Sequence, residues 1–185
     1  MTTARRPRSE AVDRLRRFER RKPLQARFWG LGSLLFRWSP RSAAGWRRWI
    51  LRRFGATIGE AVFIDPTVHI SHPWNLAVGD RSTIAHNAIL DSIGAIRIGA
   101  GVVISQYANL CAGDYDYRAK DMDILPAPIE IGDGVWIAAD AFVGPNTRLG
   151  AGGVLAARSS AFGVLPPEQI CIGEPATARH PRRRA

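Results

Sequence analysis

IGDGVWIAADAFVGPNTRLGAGGVL, residues 131–155, decides the fold. Every sixth residue from Ile131 is apolar and branched: Ile131, Ile137, Val143, Leu149 and Leu155. Gly132, Gly144 and Gly150 each directly follow one of them. A period of six is neither the 3.6 of a helix nor the two-residue alternation of an ordinary strand. It marks a hexapeptide repeat, in which each unit makes a short strand and a turn, and three units close one triangular coil. The branched residue points into the prism and stacks on its equivalent in the next coil. The small residues are expected where a tight corner calls for positive φ.

The rhythm extends outward from this stretch. It begins at Ile58, Ile64, Ile70 and Leu76, slips by two to Val78, Ile84 and Leu90, and slips again to Ile98, Ile104 and Leu110. Residues 111–128, CAGDYDYRAKDMDILPAP, then hold no apolar six-residue register, and four aspartates interrupt them. This segment is expected to be a loop thrown from one corner, the place where a rigid solenoid handles substrate. The chain thus divides into a basic, aromatic arm over 1–55 with a short helix, an all-β repeat domain over 56–173, and a basic exit over 174–185.

Charge follows the same division. Residues 1–55 carry 16 Lys or Arg against 3 Asp or Glu; residues 56–185 carry 10 against 13. The repeat domain is mildly acidic, which argues against a nucleic-acid-binding body. The basic start lacks the apolar run of a secretory signal, and no apolar stretch approaches the roughly 18–20 residues that span a bilayer. Cys111 and Cys171 read as two small buried thiols rather than a disulfide framework. Residues 42–54 read as a helix, with Trp46, Trp49, Ile50 and Phe54 near one face and Arg47, Arg48, Arg52 and Arg53 elsewhere. Such a helix suits the open end of a solenoid, which needs a cap. Its aromatic residues interleaved with arginines also suit peripheral contact with an anionic membrane.

Several segments are more specific than the rhythm. They are GWRRWILRRFGATIG (45–59), HPWNLAVGD (72–80), IRIGAGVVISQYANLCAG (96–113), DYR (116–118), APIEIGDGVWIAADAFVGP (127–145), ARSS (157–160) and ICIGEPA (170–176). On these the chain resembles the WcaF-like acetyltransferases of colanic acid biosynthesis, within the hexapeptide-repeat acyltransferases. The resemblance implies a homotrimer of left-handed parallel β-helices, an exception to the usual right-handed crossover. It also implies acetyl-CoA as co-substrate in a groove between two prisms, and an acceptor sugar of an exopolysaccharide or its lipid-linked precursor. No metal is implied, and a cytoplasmic location, at or near the inner face of the membrane, is expected.

By the same resemblance the coenzyme would be gripped by backbone amides and basic groups at Ala138, Ala139, Gly144, Ala156 and Arg158. Arg179, Arg182, Arg183 and Arg184 would lie toward its phosphates. Trp136 precedes the buried Ile137, so its ring is expected to face outward and wall the cleft or contact another subunit. Repeat packing alone would also demand small residues at the alanine and glycine positions.

The expected general base is absent. Family members read Leu-Cys-Thr-Gly-Ser-His-Asp-Tyr at the loop, with the histidine as base. Here residues 110–117 are Leu-Cys-Ala-Gly-Asp-Tyr-Asp-Tyr, so Tyr115 takes the histidine position. A phenol with a reference pKa near 10 is a poor base at neutral pH; imidazole, near 6.5, is a good one. Asp114, Asp116 and His86 are the candidate replacements. The alternatives are an enzyme that relies on positioning, or a non-catalytic trimer acting as a scaffold in polysaccharide synthesis. His69, His72 and His86 do not show the paired spacing of a zinc carbonic anhydrase on this fold.

Overall fold

The computed structural model describes residues 24–183, apart from 119 and 121. Its body is a parallel β-helix with three sheets, one along each side of a triangular prism. The inward residues stack as the six-residue count requires. Ile58, Val78, Ile98, Ile131, Leu149 and Leu165 fill the first side. Ile64, Ile84, Ile104, Ile137, Leu155 and Cys171 fill the second. Ile70, Leu90, Leu110, Val143 and Ala161 fill the third. All are buried and form one continuous core.

Both slips in the rhythm fall at one corner, between the third side and the first. There Leu76, Ile96 and Ile129 add a second buried row beside Val78, Ile98 and Ile131. The segment 111–128 leaves from this same corner. It is not an irregular loop: Gly113–Tyr115 pairs antiparallel with Ile124–Pro126 in a β-hairpin. The exit is likewise a strand, because Ala176–Pro181 folds back antiparallel on Gln169–Gly173.

The repeat glycines serve a purpose other than the one expected. Gly132, Gly144 and Gly150 do not adopt positive φ; the left-handed corner residues include Arg81, Asn87, Tyr107, Asp140, Asn146 and Arg158. What Gly132 lacks is room. A Cβ there would stand 2.6 Å from the backbone nitrogen of Ala151 in the next coil. Small residues follow the stacked position because successive coils approach at van der Waals distance.

A 3₁₀ turn at Leu24–Phe28 leads into helix α1 (Trp29–Arg37), and α2 (Ala44–Arg53) follows. They close the open end of the first coil by a specific device. Edge carbonyls of that coil have no earlier coil to pair with, and unpaired buried carbonyls are costly. Arg52 Nε donates to Ile58 O at 2.9 Å, Arg48 Nη1 to Val62 O at 3.0 Å, Arg47 Nε to Ile64 O at 2.6 Å, and Trp29 Nε1 to Ile70 O at 3.0 Å. Arg47 is fully buried and also donates to Ser39 Oγ, Pro40 O and Arg41 O. This corrects the helical-face reading. Arg47 lies inward with Ile50 and Leu51, while Trp46 and Trp49 stack on each other in solvent, because the coil end offers carbonyls that only a donor satisfies.

Candidate active site

The three sides differ outwardly. The first carries Ala77, Arg97, Glu130, Arg148 and Val164 in register, with Arg148 and Glu130 ion-paired at 2.7 Å. The second carries Thr83, Val103, Trp136, Val154 and Ile170. The third carries His69, Ile89, Asn109, Phe142 and Ser160. Charge that is paired within the chain suits solvent; the largely apolar second side and the third side, which carries no Arg, Lys, Asp or Glu in this row, are the ones suited to covering.

Between the second and third sides runs a column of turns. Asn87, Tyr107, Asp140 and Arg158 each adopt positive φ there. Three donate their N–H back one coil: Tyr107 to His86 O, Asp140 to Gln106 O and Arg158 to Ala139 O. Asn87 donates instead to Thr67 Oγ1. The N–H groups of the residues just before them, His86, Gln106, Ala139 and Ala157, have no partner among the described residues. At the corner between the first and second sides, Asp80 caps the Glu60 amide and Asp133 caps the Ala100 amide, while the Asp80, Asp133 and Ala151 amides have no partner among the described residues either. The second-to-third corner differs in that none of the four amides of His86, Gln106, Ala139 and Ala157, in consecutive coils, is capped, and such a ladder of open donors is suited to carbonyl or phosphoryl oxygens.

Trp136 flanks this ladder. Its ring is 44 % exposed, and its Nε1 donates to Ser105 Oγ at 3.0 Å, one coil back. His86 packs edge-on against Tyr107 at 5.5 Å, and Arg158 Nε lies 3.6 Å from Asp140 Oδ2. One edge thus gathers His86, Trp136, Ala138, Ala139, Ala156 and Arg158. The backbone amides of Ala138, Ala156 and Arg158 are spent on Leu155 O, Cys171 O and Ala139 O, so of these expected amides Ala139 is the open one.

Other candidates lie elsewhere. Gly144 is on the far edge of the third side, its N–H bonded to Ala161 O and its α-carbon under the Phe162 ring. Arg182 is held at the first-to-second corner, where Nη1 donates to Gly134 O at 2.8 Å and Gly152 O at 3.0 Å. That fixes the returning strand to the solenoid and turns the guanidinium away from the open ladder. Arg179 is exposed, at the bulge where pairing shifts between Ile170 and Cys171. Arg184 lies outside the described residues.

The hairpin carries Asp114, Tyr115 and Asp116 on the opposite edge of the third side from the ladder. Tyr115 is 53 % exposed. Asp114 Oδ1 accepts the Tyr115 N–H at 2.7 Å, and Asp116 Oδ1 accepts the Arg118 N–H at 3.0 Å. Both carboxylates therefore shape the hairpin. At its root Cys111 points Sγ toward Gly113 O; burial pushes its thiol pKa up, and the Asp91 and Asp114 charges add to this. Within one chain the hairpin candidates and His86 do not meet. Among the described residues no three His, Cys, Asp or Glu side chains gather as a metal site.

Sequence reasoning named Ala139 but missed Ser105 and the open amides of His86, Gln106 and Ala157. The signal for Ser105 was its register: Val103 and Ile104 pair with Trp136 and Ile137, which puts it beside the indole.

No protein-family model matches the chain. Among curated proteins, it is 42 % identical over 149 residues to the WcaF acetyltransferase assigned to colanic acid biosynthesis in Escherichia coli K12, covering 80 % of this chain and 82 % of that one. Among solved structures, a hexapeptide-repeat acetyltransferase from Vibrio cholerae superposes with a TM-score of 0.80 at 23 % identity, over 91 % of this chain and 94 % of that one. The same Vibrio protein has been solved with acetyl coenzyme A, at a TM-score of 0.77 and 24 % identity, over 96 % of this chain and 92 % of that one. A galactoside acetyltransferase in complex with coenzyme A matches with a TM-score of 0.76 at 20 % identity, over 99 % of this chain and 86 % of that one. These structural matches bear on the fold.

Proposed function

This chain belongs to the WcaF-like family of acetyltransferases assigned to colanic acid biosynthesis, and from that premise we propose that it acetylates a sugar hydroxyl of an exopolysaccharide or its lipid-linked precursor, using acetyl-CoA. The observation that carries the reading is the open amide ladder of His86, Gln106, Ala139 and Ala157 beside the exposed indole of Trp136. Coenzyme A offers amide carbonyls along its pantetheine arm and phosphoryl oxygens at its nucleotide end. A ladder of unspent N–H donors along a rigid edge supplies what those oxygens need, and an aromatic wall shields the thioester from water.

The reaction is short. The sugar oxygen attacks the thioester carbonyl carbon, a C–O bond forms, and the C–S bond breaks. The thiolate of coenzyme A leaves and ends protonated by the proton the hydroxyl gave up. Positioning of the two reactants contributes most where the base is weak.

A homotrimer supports the same reading. The hairpin and the ladder occupy opposite edges of the third side, so neither completes a cleft within one prism. Three prisms packed through their second and third sides would bring the hairpin of one chain toward the ladder of the next. Hydroxyl activation would then fall to a group at that junction, with His86 on the ladder side and Tyr115, Asp114 and Asp116 on the hairpin side.

The test is acetyl transfer itself. The full chain is incubated with acetyl-CoA and a panel of surface-polysaccharide oligosaccharides, and free thiol and acceptor mass are followed together. Acceptor-dependent thiol release with one added acetyl group supports the reading. A second reading has one observation behind it, Tyr115 at the family's histidine position: a trimer that retains the ladder but serves as a scaffold. It requires acetyl-CoA binding without acceptor-dependent thiol release.

A further inference from the structure

The terminal helices carry two opposed stripes. Trp29, Gly32 and Phe36 are buried against the solenoid cap. Phe28, Leu31, Leu35 and Trp38, three or four residues apart, are exposed, with Leu34 beside them; Trp38 is 86 % exposed. Helix α2 continues this outer surface. Trp46 Nε1 donates to Leu35 O at 3.4 Å, and its ring stacks on Trp49 with centroids 5.0 Å apart and planes 16° from parallel. Seven large apolar side chains thus share one solvent-facing surface, beyond what single scattered residues on a soluble surface would explain.

The charge around this surface has one sign. Residues 24–55 hold seven arginines and no acidic residue. Arg47, Arg48 and Arg52 are committed to the first coil's carbonyls. Arg27, Arg37 and Arg53 are exposed, and their side chains make no hydrogen bond or ion pair among the described residues.

From these two observations we infer that the outer face of the terminal helices docks on an anionic lipid bilayer. A bilayer interface accepts both halves of the surface: Leu and Phe enter the headgroup–acyl boundary, Trp rings sit at the headgroup level, and the free guanidiniums meet lipid phosphates. A second copy meeting this surface face to face would bring arginines against arginines, because residues 24–55 hold no carboxylate. Residues 1–23 hold nine Lys or Arg against three Asp or Glu, so they are also of the wrong sign to cover the surface. A nucleic acid answers the charge but leaves the Phe28–Leu31–Leu35–Trp38 stripe in water. The inference uses residues remote from the amide ladder and stands independently of the proposed reaction.

The test is co-sedimentation of the full chain with phosphatidylcholine vesicles, with and without about 30 mol % phosphatidylglycerol. The protein is expected to bind only the anionic vesicles, and to release as salt rises to about 0.5 M. Leu31→Ser/Leu35→Ser/Trp38→Ser is expected to lower the partition coefficient about tenfold or more, and Arg27→Ser/Arg37→Ser/Arg53→Ser several-fold. Single Trp38→Ser, at the most exposed position, gives the same direction if the triple variant folds poorly. Sedimentation velocity on each variant reads the assembly mass. Failure of the parent to bind anionic vesicles overturns the inference. So does equal binding by the apolar variants, which would leave only a polyanion-binding surface, and so does a loss of assembly mass in them, which would make the stripe a contact between copies.

Discussion

Trp136 and Ser105 are joined across consecutive coils by a 3.0 Å bond from the indole Nε1 to the hydroxyl. The bond orients an exposed ring beside the open amides of Gln106 and Ala139. Trp136→Ala is expected to weaken acetyl-CoA binding about tenfold, the ~1.4 kcal/mol scale of one aromatic contact, while Ser105→Ala costs a smaller factor by freeing the ring. Calorimetric titration of both variants, with oligomeric mass checked by light scattering, reads this out.

Tyr115 stands on the hairpin at the position where the family resemblance implies a histidine. If only the base is lost, Tyr115→His is expected to raise kcat by about 10²-fold or more. The gained activity should fall as pH drops through the ordinary imidazole range, near 6.5, because protonated imidazole accepts no proton. A variant that folds and binds acetyl-CoA yet gains nothing would show that the acceptor side of the cleft is altered as well.

Arg47 is the most exacting residue in the cap. Its buried guanidinium donates to Ile64 O, Ser39 Oγ, Pro40 O and Arg41 O. Arg47→Ala leaves these acceptors unsatisfied and is expected to cost about 3–5 kcal/mol of folding free energy. Lysine cannot reproduce the fork, so Arg47→Lys should recover little of it. Denaturant melts monitored by tryptophan fluorescence measure both.

Asp65 lies beside this cluster, 2 % exposed, with Arg41 Nη2 2.9 Å from Oδ2. Burial alone would raise its pKa, but hydrogen bonds from the Thr67 amide and hydroxyl, together with Arg41, outweigh burial and hold it below the ordinary carboxylate value. The sign follows. A carboxyl depressed in the folded state stabilises the fold above its unfolded pKa, near 3.9, and that stability is lost as pH falls through the lower, folded value. Asp65→Asn should therefore flatten the acid limb of a stability-versus-pH curve below about pH 4.

Two glycines separate packing from conformation. Gly132→Ala drives a Cβ to 2.6 Å from Ala151 N and should cost about 1–3 kcal/mol. At Gly101 nothing lies within 4 Å, but φ is +63°, so Gly101→Ala should cost about 1 kcal/mol. The comparison is a pair of thermal melts.

The stacked core was legible because burial acts on every sixth residue regardless of context. Ile131, Ile137 and Val143 could be assigned inward without knowing their neighbours. Corner chemistry was less legible. Whether an amide at a turn is capped depends on a side chain in the next coil, as Asp133 caps Ala100 while nothing caps Ala139. The placement of Arg182 depends on where a returning strand crosses Gly134 and Gly152, which no local pattern encodes. Arg47 misled for a similar reason. A helical wheel sorts residues by polarity, and the surface this helix covers is a row of carbonyls.

The most direct measurement of the account is calorimetric titration of the purified full chain with acetyl-CoA, with no acceptor present. Saturable binding approaching one site per chain, weakened by Trp136→Ala, is the predicted result. No saturable heat at millimolar acetyl-CoA, from a protein that is folded and assembled, would contradict it.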